Sequence, residues 1–73
     1  AATNWIRYSN SENMTVIFNL DAATRFRHYE SGSESYIEVL AAGETHSILL
    51  STDPGAYQDA IDYIKRSTGY ELT

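Results

Sequence analysis

The sequence contains no cysteine, so disulfides and thiolate-held metals are excluded, and with them two usual supports of a small domain. Its two histidines, His28 and His46, are too few to build a zinc site alone. Its four glycines stand apart at 32, 43, 55 and 69, and no glycine-rich loop of the phosphate-cradling kind is present. No apolar run approaches the roughly 20 residues that a membrane-crossing helix needs. No basic segment followed by an apolar one opens the sequence as a secretory leader would. These features predict a cytoplasmic protein with no membrane partner. Asn13-Met14-Thr15 then matches the glycosylation sequon by chance.

Positive charge is scarce as well. Five basic residues stand against ten acidic ones, for a net charge of −5. Non-specific grip on nucleic acid depends on Lys and Arg releasing counterions from phosphate, so the overall charge opposes it. A local basic patch remains compatible with that balance. Catalytic frames are missing too. The many serines sit in no G-x-S-x-G elbow. The carboxylates are dispersed, and paired catalytic carboxylates need a cleft that a chain this short has little room for. The sequence therefore predicts no catalytic residue, no bound metal, no cofactor and no enzyme activity.

What is present fits one small domain over residues 1–73. A domain of this size buries only about 60% of its unfolded surface. Without disulfide or metal, a second copy of the chain is the remaining support, and a homodimer is expected. WIRYS (5–9) and MTVIFNL (14–20) alternate and are rich in strand-forming residues, with a polar turn between them. Asp21-Ala22-Ala23 reads as a bend, a bulge or a brief helical turn. AATRFRHY then continues with period two. SYIEVLA (35–41) and HSILLS (46–51) form a hairpin around AGET. The pattern changes at Asp53-Pro54, a helix start in which Asp caps free N–H groups and Pro occupies the first turn. Tyr57, Ala60, Ile61 and Ile64 follow at helical spacing, Asp62 and Arg66 are placed to pair, and Gly69 suits the helix end. Tyr70 and Leu72 either fold back as a clasp or pair with another subunit. The fold class is α+β: a four- to five-stranded antiparallel sheet followed by one C-terminal helix packed on one face.

Period two assigns the faces. If Phe26 looks toward the helix, so do Ile6, Tyr8, Val16, Phe18, Leu20, Ile37, Val39, Ile48 and Leu50. Trp5, Arg7, Ile17, Arg25, Arg27, Tyr29, Tyr36, Glu38, Leu40 and Leu49 then share the open face. Three of the five basic residues and three large aromatics thus lie together. Exposed rings beside guanidinium groups are how single strands are held, bases stacking on the rings. Arg and Tyr are equally common on solvated sheets and in protein interfaces, and Ile17, Leu40 and Leu49 favour burial against a partner. The histidines are read as half-buried or surface residues of strands. Were they in adjacent strands, they would meet across the sheet, with Glu30 or Glu44 completing a weak divalent site.

The segment from Trp5 to Leu20, with Asn19-Leu20-Asp21 ahead of Thr24-Arg25-Phe26, resembles a group of short uncharacterised bacterial proteins, several of them cyanobacterial. They share a W-I-R-Y-type leading strand, an N-L-D turn and a terminal helix. Some are similar in fold to the single-stranded-DNA-binding domain of the eukaryotic transcriptional positive cofactor and to plant Whirly proteins. Those families build a curved antiparallel sheet with a helix, dimerise, and bind single strands on the sheet. The resemblance implies a homodimer and suggests nucleic acid. This chain lacks the cofactor's several lysines and arginines and a lysine-rich Whirly motif, so no binding residue carries over. Taken together, the expectation is a non-catalytic interaction module working as a homodimer, with a protein partner or single-stranded nucleic acid as ligand. The alternative is a single-stranded nucleic-acid-binding regulator that uses Trp5, Arg7, Arg25, Arg27, Tyr29 and Tyr36.

Overall fold

The computed structural model describes residues 4–72. Over these the element order is β1 (Trp5–Ser9), β2 (Thr15–Asn19), a 3-10 turn (Leu20–Ala22), β3 (Ala23–Glu30), β4 (Ser35–Ala41), β5 (Glu44–Leu49) and α1 (Pro54–Thr68). The α+β class and the terminal helix agree with the sequence reading. The single sheet does not. The strands divide into an antiparallel β1–β2 hairpin and a three-stranded antiparallel sheet ordered β3-β4-β5.

The division has a local cause at Asn19-Leu20-Asp21. The Asn19 side chain accepts from the Asp21 N–H at 2.9 Å, and the Leu20 N–H bonds back to the Asn4 carbonyl at 2.9 Å. Leu20 is then buried as the hinge of the corner. A residue with an extended backbone whose side chain caps a tight turn ends a strand, and β3 leaves in a new direction. The β1–β2 turn is organised in a similar way. Asn10 Oδ1 accepts from the N–H groups of Glu12 and Met14 at 2.9 and 3.1 Å, and Asn13 takes the left-handed conformation that Asn tolerates. The β4–β5 turn is tighter. Ala42 and Gly43 have φ of 53° and 81°, both positive, as a two-residue hairpin of matching twist requires.

The two sheets and the helix share one core. Ile6, Tyr8 and Phe18 come from the hairpin, Leu20 from the corner, Ile37, Val39, Ala41 and Ile48 from the larger sheet, and Tyr57, Ala60 and Ile64 from α1. Each large side chain buried there contributes about 1.5–3 kcal/mol. The joint between hairpin and sheet is aromatic. Phe18 stacks on His46 with ring centres 4.1 Å apart, and the Tyr8 hydroxyl lies 2.9 Å from His46 Nδ1.

The helix begins and ends where expected, but Asp53, Asp62 and Arg66 act differently. Pro54 opens it, and Gly69, at φ 84°, closes it with an N–H bonded to the Lys65 carbonyl. Asp53 makes no side-chain cap. Its carboxylate accepts the Ser9 N–H at 3.0 Å instead, so the group expected to cap α1 fastens β1. Asp62 takes a hydrogen bond from Gln58 at 3.0 Å, while Arg66 lies over the Tyr63 ring and reaches Asn4 at 3.4 Å. Leu50, expected to face the helix, lies just past the end of β5 and is exposed.

Candidate interaction surface

The outer face of the three-stranded sheet is set by its register. Tyr29 lies opposite Tyr36, and Tyr36 opposite Leu49. Arg27 lies opposite Glu38, and Glu38 opposite Ser47. Arg25 lies opposite Leu40, and Leu40 opposite Thr45. Four of the six candidate residues, Arg25, Arg27, Tyr29 and Tyr36, are therefore neighbours on one surface. Trp5 and Arg7 lie on β1, opposite Asn19 and Ile17, in a hairpin that no ladder joins to the larger sheet among the described residues. The continuous platform expected of all six is divided in two.

Cross-strand pairing already commits several of these groups. The rings of Tyr29 and Tyr36 stack with centres 5.1 Å apart and planes 26° apart, a contact worth about 0.5–1.5 kcal/mol beyond area burial. Arg27 Nε lies 3.8 Å from Glu38 Oε1, so the carboxylate offsets part of its charge. Arg25 faces the aliphatic Leu40. Two arginines thus stand against one glutamate on this face, in a chain whose net charge is −5. Tyr29 on this face is 51% exposed, and on the separate hairpin Trp5 is 58% and Ile17 61% exposed.

The histidines do not meet. His28 is on β3 and His46 on β5, with β4 between them. Each is engaged by a tyrosine: His28 Nε2 lies 2.8 Å from the Tyr57 hydroxyl, and His46 is held by Tyr8. Burial raises the pKa of Tyr8, with the nearby Glu44 charge acting the same way. It likewise raises that of Tyr57, with Glu30 adding to it. Both hydroxyls keep their protons near neutrality and serve as fixed partners for the imidazoles. Asp21 shifts the other way: the Tyr63 hydroxyl, at 2.8 Å, and then the Asn4 amide hold its carboxyl below the ordinary carboxylate range.

Sequence periodicity missed a second surface. α1 packs against β1, β4 and β5, and reaches the inner side of β3 through Tyr57 at His28 and Tyr63 at Phe26. There a groove of about 530 Å³ runs between β3 and the C-terminal half of the helix. Its apolar lining includes Ala23, Phe26, Tyr63, Ile64, Tyr70 and Leu72. Alternation marks Phe26 as inward, yet it carries no information on how far the helix extends sideways. No family model, curated protein or solved structure matches this chain.

Proposed function

We propose that the chain is a non-catalytic interaction module that acts as a homodimer. The observation that carries the reading is the exposed apolar and aromatic surface on its sheets, notably Ile17 and the stacked Tyr29. A chain with so small a core gains stability from any copy that binds the folded state. Sedimentation of the protein over a concentration series tests it, and a dimer is expected. Ile17→Glu and Leu49→Glu locate the contact: loss of the dimer with the fold kept places that residue in it, and an unchanged dimer removes it.

A second reading is single-stranded nucleic acid bound on the outer face of β3–β5. The Tyr29–Tyr36 stack beside Arg25 and Arg27 favours it, as does the resemblance to single-strand-binding sheet proteins. Adding a labelled mixed-sequence oligonucleotide at low salt separates the two readings. Salt-sensitive co-sedimentation supports nucleic acid, and an unbound oligonucleotide leaves the interaction module standing. If binding occurs, Arg25→Ala with Arg27→Ala should weaken it. The salt slope should then fall by about 1.4, from roughly 0.7 per lost phosphate contact on a single strand.

A further inference from the structure

Phe26 marks where the helix stops covering the sheet. It is partly buried and touches α1 through Tyr63, with ring centres 6.1 Å apart. Its cross-strand neighbour Val39 is fully buried. The groove described above opens beside Phe26. On the same strand, no ladder partner occupies the outer edge among the described residues. At eight residues β3 is the longest of the described strands. It contains neither proline nor lysine, the residues that commonly blunt an edge. Its register shift lies at the start, between Ala23 and Arg25. A row of unpaired N–H and C=O groups next to a half-open apolar groove suits β-augmentation. The added strand bonds to the edge, and its alternate side chains enter the groove.

We propose that the added strand is β3 of a second copy, running antiparallel, so that two three-stranded sheets become one of six strands. This rests on the homodimer reading above and names where the dimer closes. The side-chain pattern of the strand sets the partner and its direction. Arg25 and Arg27 lie in its first part and Glu30 ends it. A parallel copy in register would set Arg25 beside Arg25 and Arg27 beside Arg27, whereas the antiparallel register centred on Arg27 leaves one such pair and brings Arg25 to Tyr29. Pairing centred on Arg27 sets Arg25 opposite Tyr29 of the second copy, twice by symmetry, each guanidinium beside an exposed ring. Phe26 then meets His28 of the second copy on the groove side. The two Arg27 side chains approach at the axis, and each carries its own Glu38 as counter-charge. On the outer face the dimer gathers four arginines and two tyrosine stacks, a larger positive surface than one copy offers.

The absence of cysteine makes any introduced thiol a unique reporter. Arg25→Cys, Arg27→Cys and Tyr29→Cys place it along β3 at exposed sites; Ile17→Cys and Leu49→Cys place it away from the edge. Paired strands bring opposed Cα atoms to about 4.5–5.5 Å, within disulfide reach. Under mild oxidation at a concentration where the parent sediments as a dimer, Arg27→Cys should cross-link on the order of tenfold faster than Ile17→Cys, through its higher effective concentration. A dimer in which Ile17→Cys or Leu49→Cys cross-links and none of the β3 variants does overturns this edge and leaves the homodimer reading intact. A parent that stays monomeric at every concentration overturns both.

Discussion

β3 and β4 lie side by side, run antiparallel and alternate with the same period, yet they differ in depth. In β4 every inward residue, Ser35, Ile37, Val39 and Ala41, is buried. In β3 the residues opposite them, Ala23, Phe26 and His28, are only half-buried, and Glu30 is exposed. The difference lies in position. β4 is central in its sheet and lies under α1, whereas β3 is at the edge with the groove above it. Period two decides which way a side chain points. What stands over that side decides how much it stabilises.

The largest test of this contrast is a pair of truncations. Ile37→Ala, at a fully buried site, should cost about 2–5 kcal/mol, enough to unfold much of a small marginal domain. Phe26→Ala removes a larger side chain, and its half-open site should reduce the cost to about 1–2 kcal/mol at protein concentrations where the chain is monomeric. Denaturant melts measure both. Equal costs would show that β3 is as well covered as β4. A Phe26→Ala cost that grows with protein concentration would show a second copy completing the cover.

The connections sharpen the same comparison. Ala42 holds a left-handed backbone to keep β4 and β5 in register, at a strain that glycine does not bear. Ala42→Gly should therefore stabilise the chain by about 0.5–1 kcal/mol in thermal melts. A loss of stability would mean that the turn tolerates alanine without strain. At the entry to β3, Asp21 has a depressed pKa, with the Tyr63 hydroxyl as first cause. The folded value lies below the unfolded one, about 3.9. Its contribution is therefore present above that pH and is lost as pH falls through the folded value. Tyr63→Phe should move this acid loss upward toward pH about 4, read from melting temperature against pH. The smallest effect belongs to the outer face. Arg27→Ala breaks a pair whose arginine side chain is 68% exposed, and should cost under about 0.5 kcal/mol in the monomer.

Much of the fold was legible in the residues. Alternation identified Ile6, Tyr8, Phe18, Ile37, Val39 and Ile48 as inward, and all are buried. Asp53-Pro54 and Gly69 bracketed the helix. What escaped depended on partners distant in sequence. Asp53 has a choice between its own helix and the end of β1, 44 residues away, and no local rule ranks the two. His46 reads as an ordinary strand residue until Phe18 and Tyr8 are placed around it. The split into two sheets was foreshadowed at Asp21-Ala22-Ala23, where a bend, a bulge or a brief helical turn was expected, but such a feature does not say whether the strands beyond it rejoin one ladder. For the candidate surface, the four residues on β3 and β4 followed from period two. Separating Trp5 and Arg7 from them required the topology.

The aromatic joint at His46 has a kinetic consequence. β3, β4 and β5 are linked by a short loop and a two-residue turn, so their pairing closes small loops and can form early. The hairpin meets them through Tyr8 and His46, 38 residues apart, and through Ser9 and Asp53. These contacts close large loops and reward the chain late. Interactions made after the transition state govern the escape from the native state more than the approach to it. Loosening that joint, as in Tyr8→Phe, should hasten unfolding far more than it slows folding. The seam between hairpin and sheet would then act as the latch that sets the lifetime of the folded molecule.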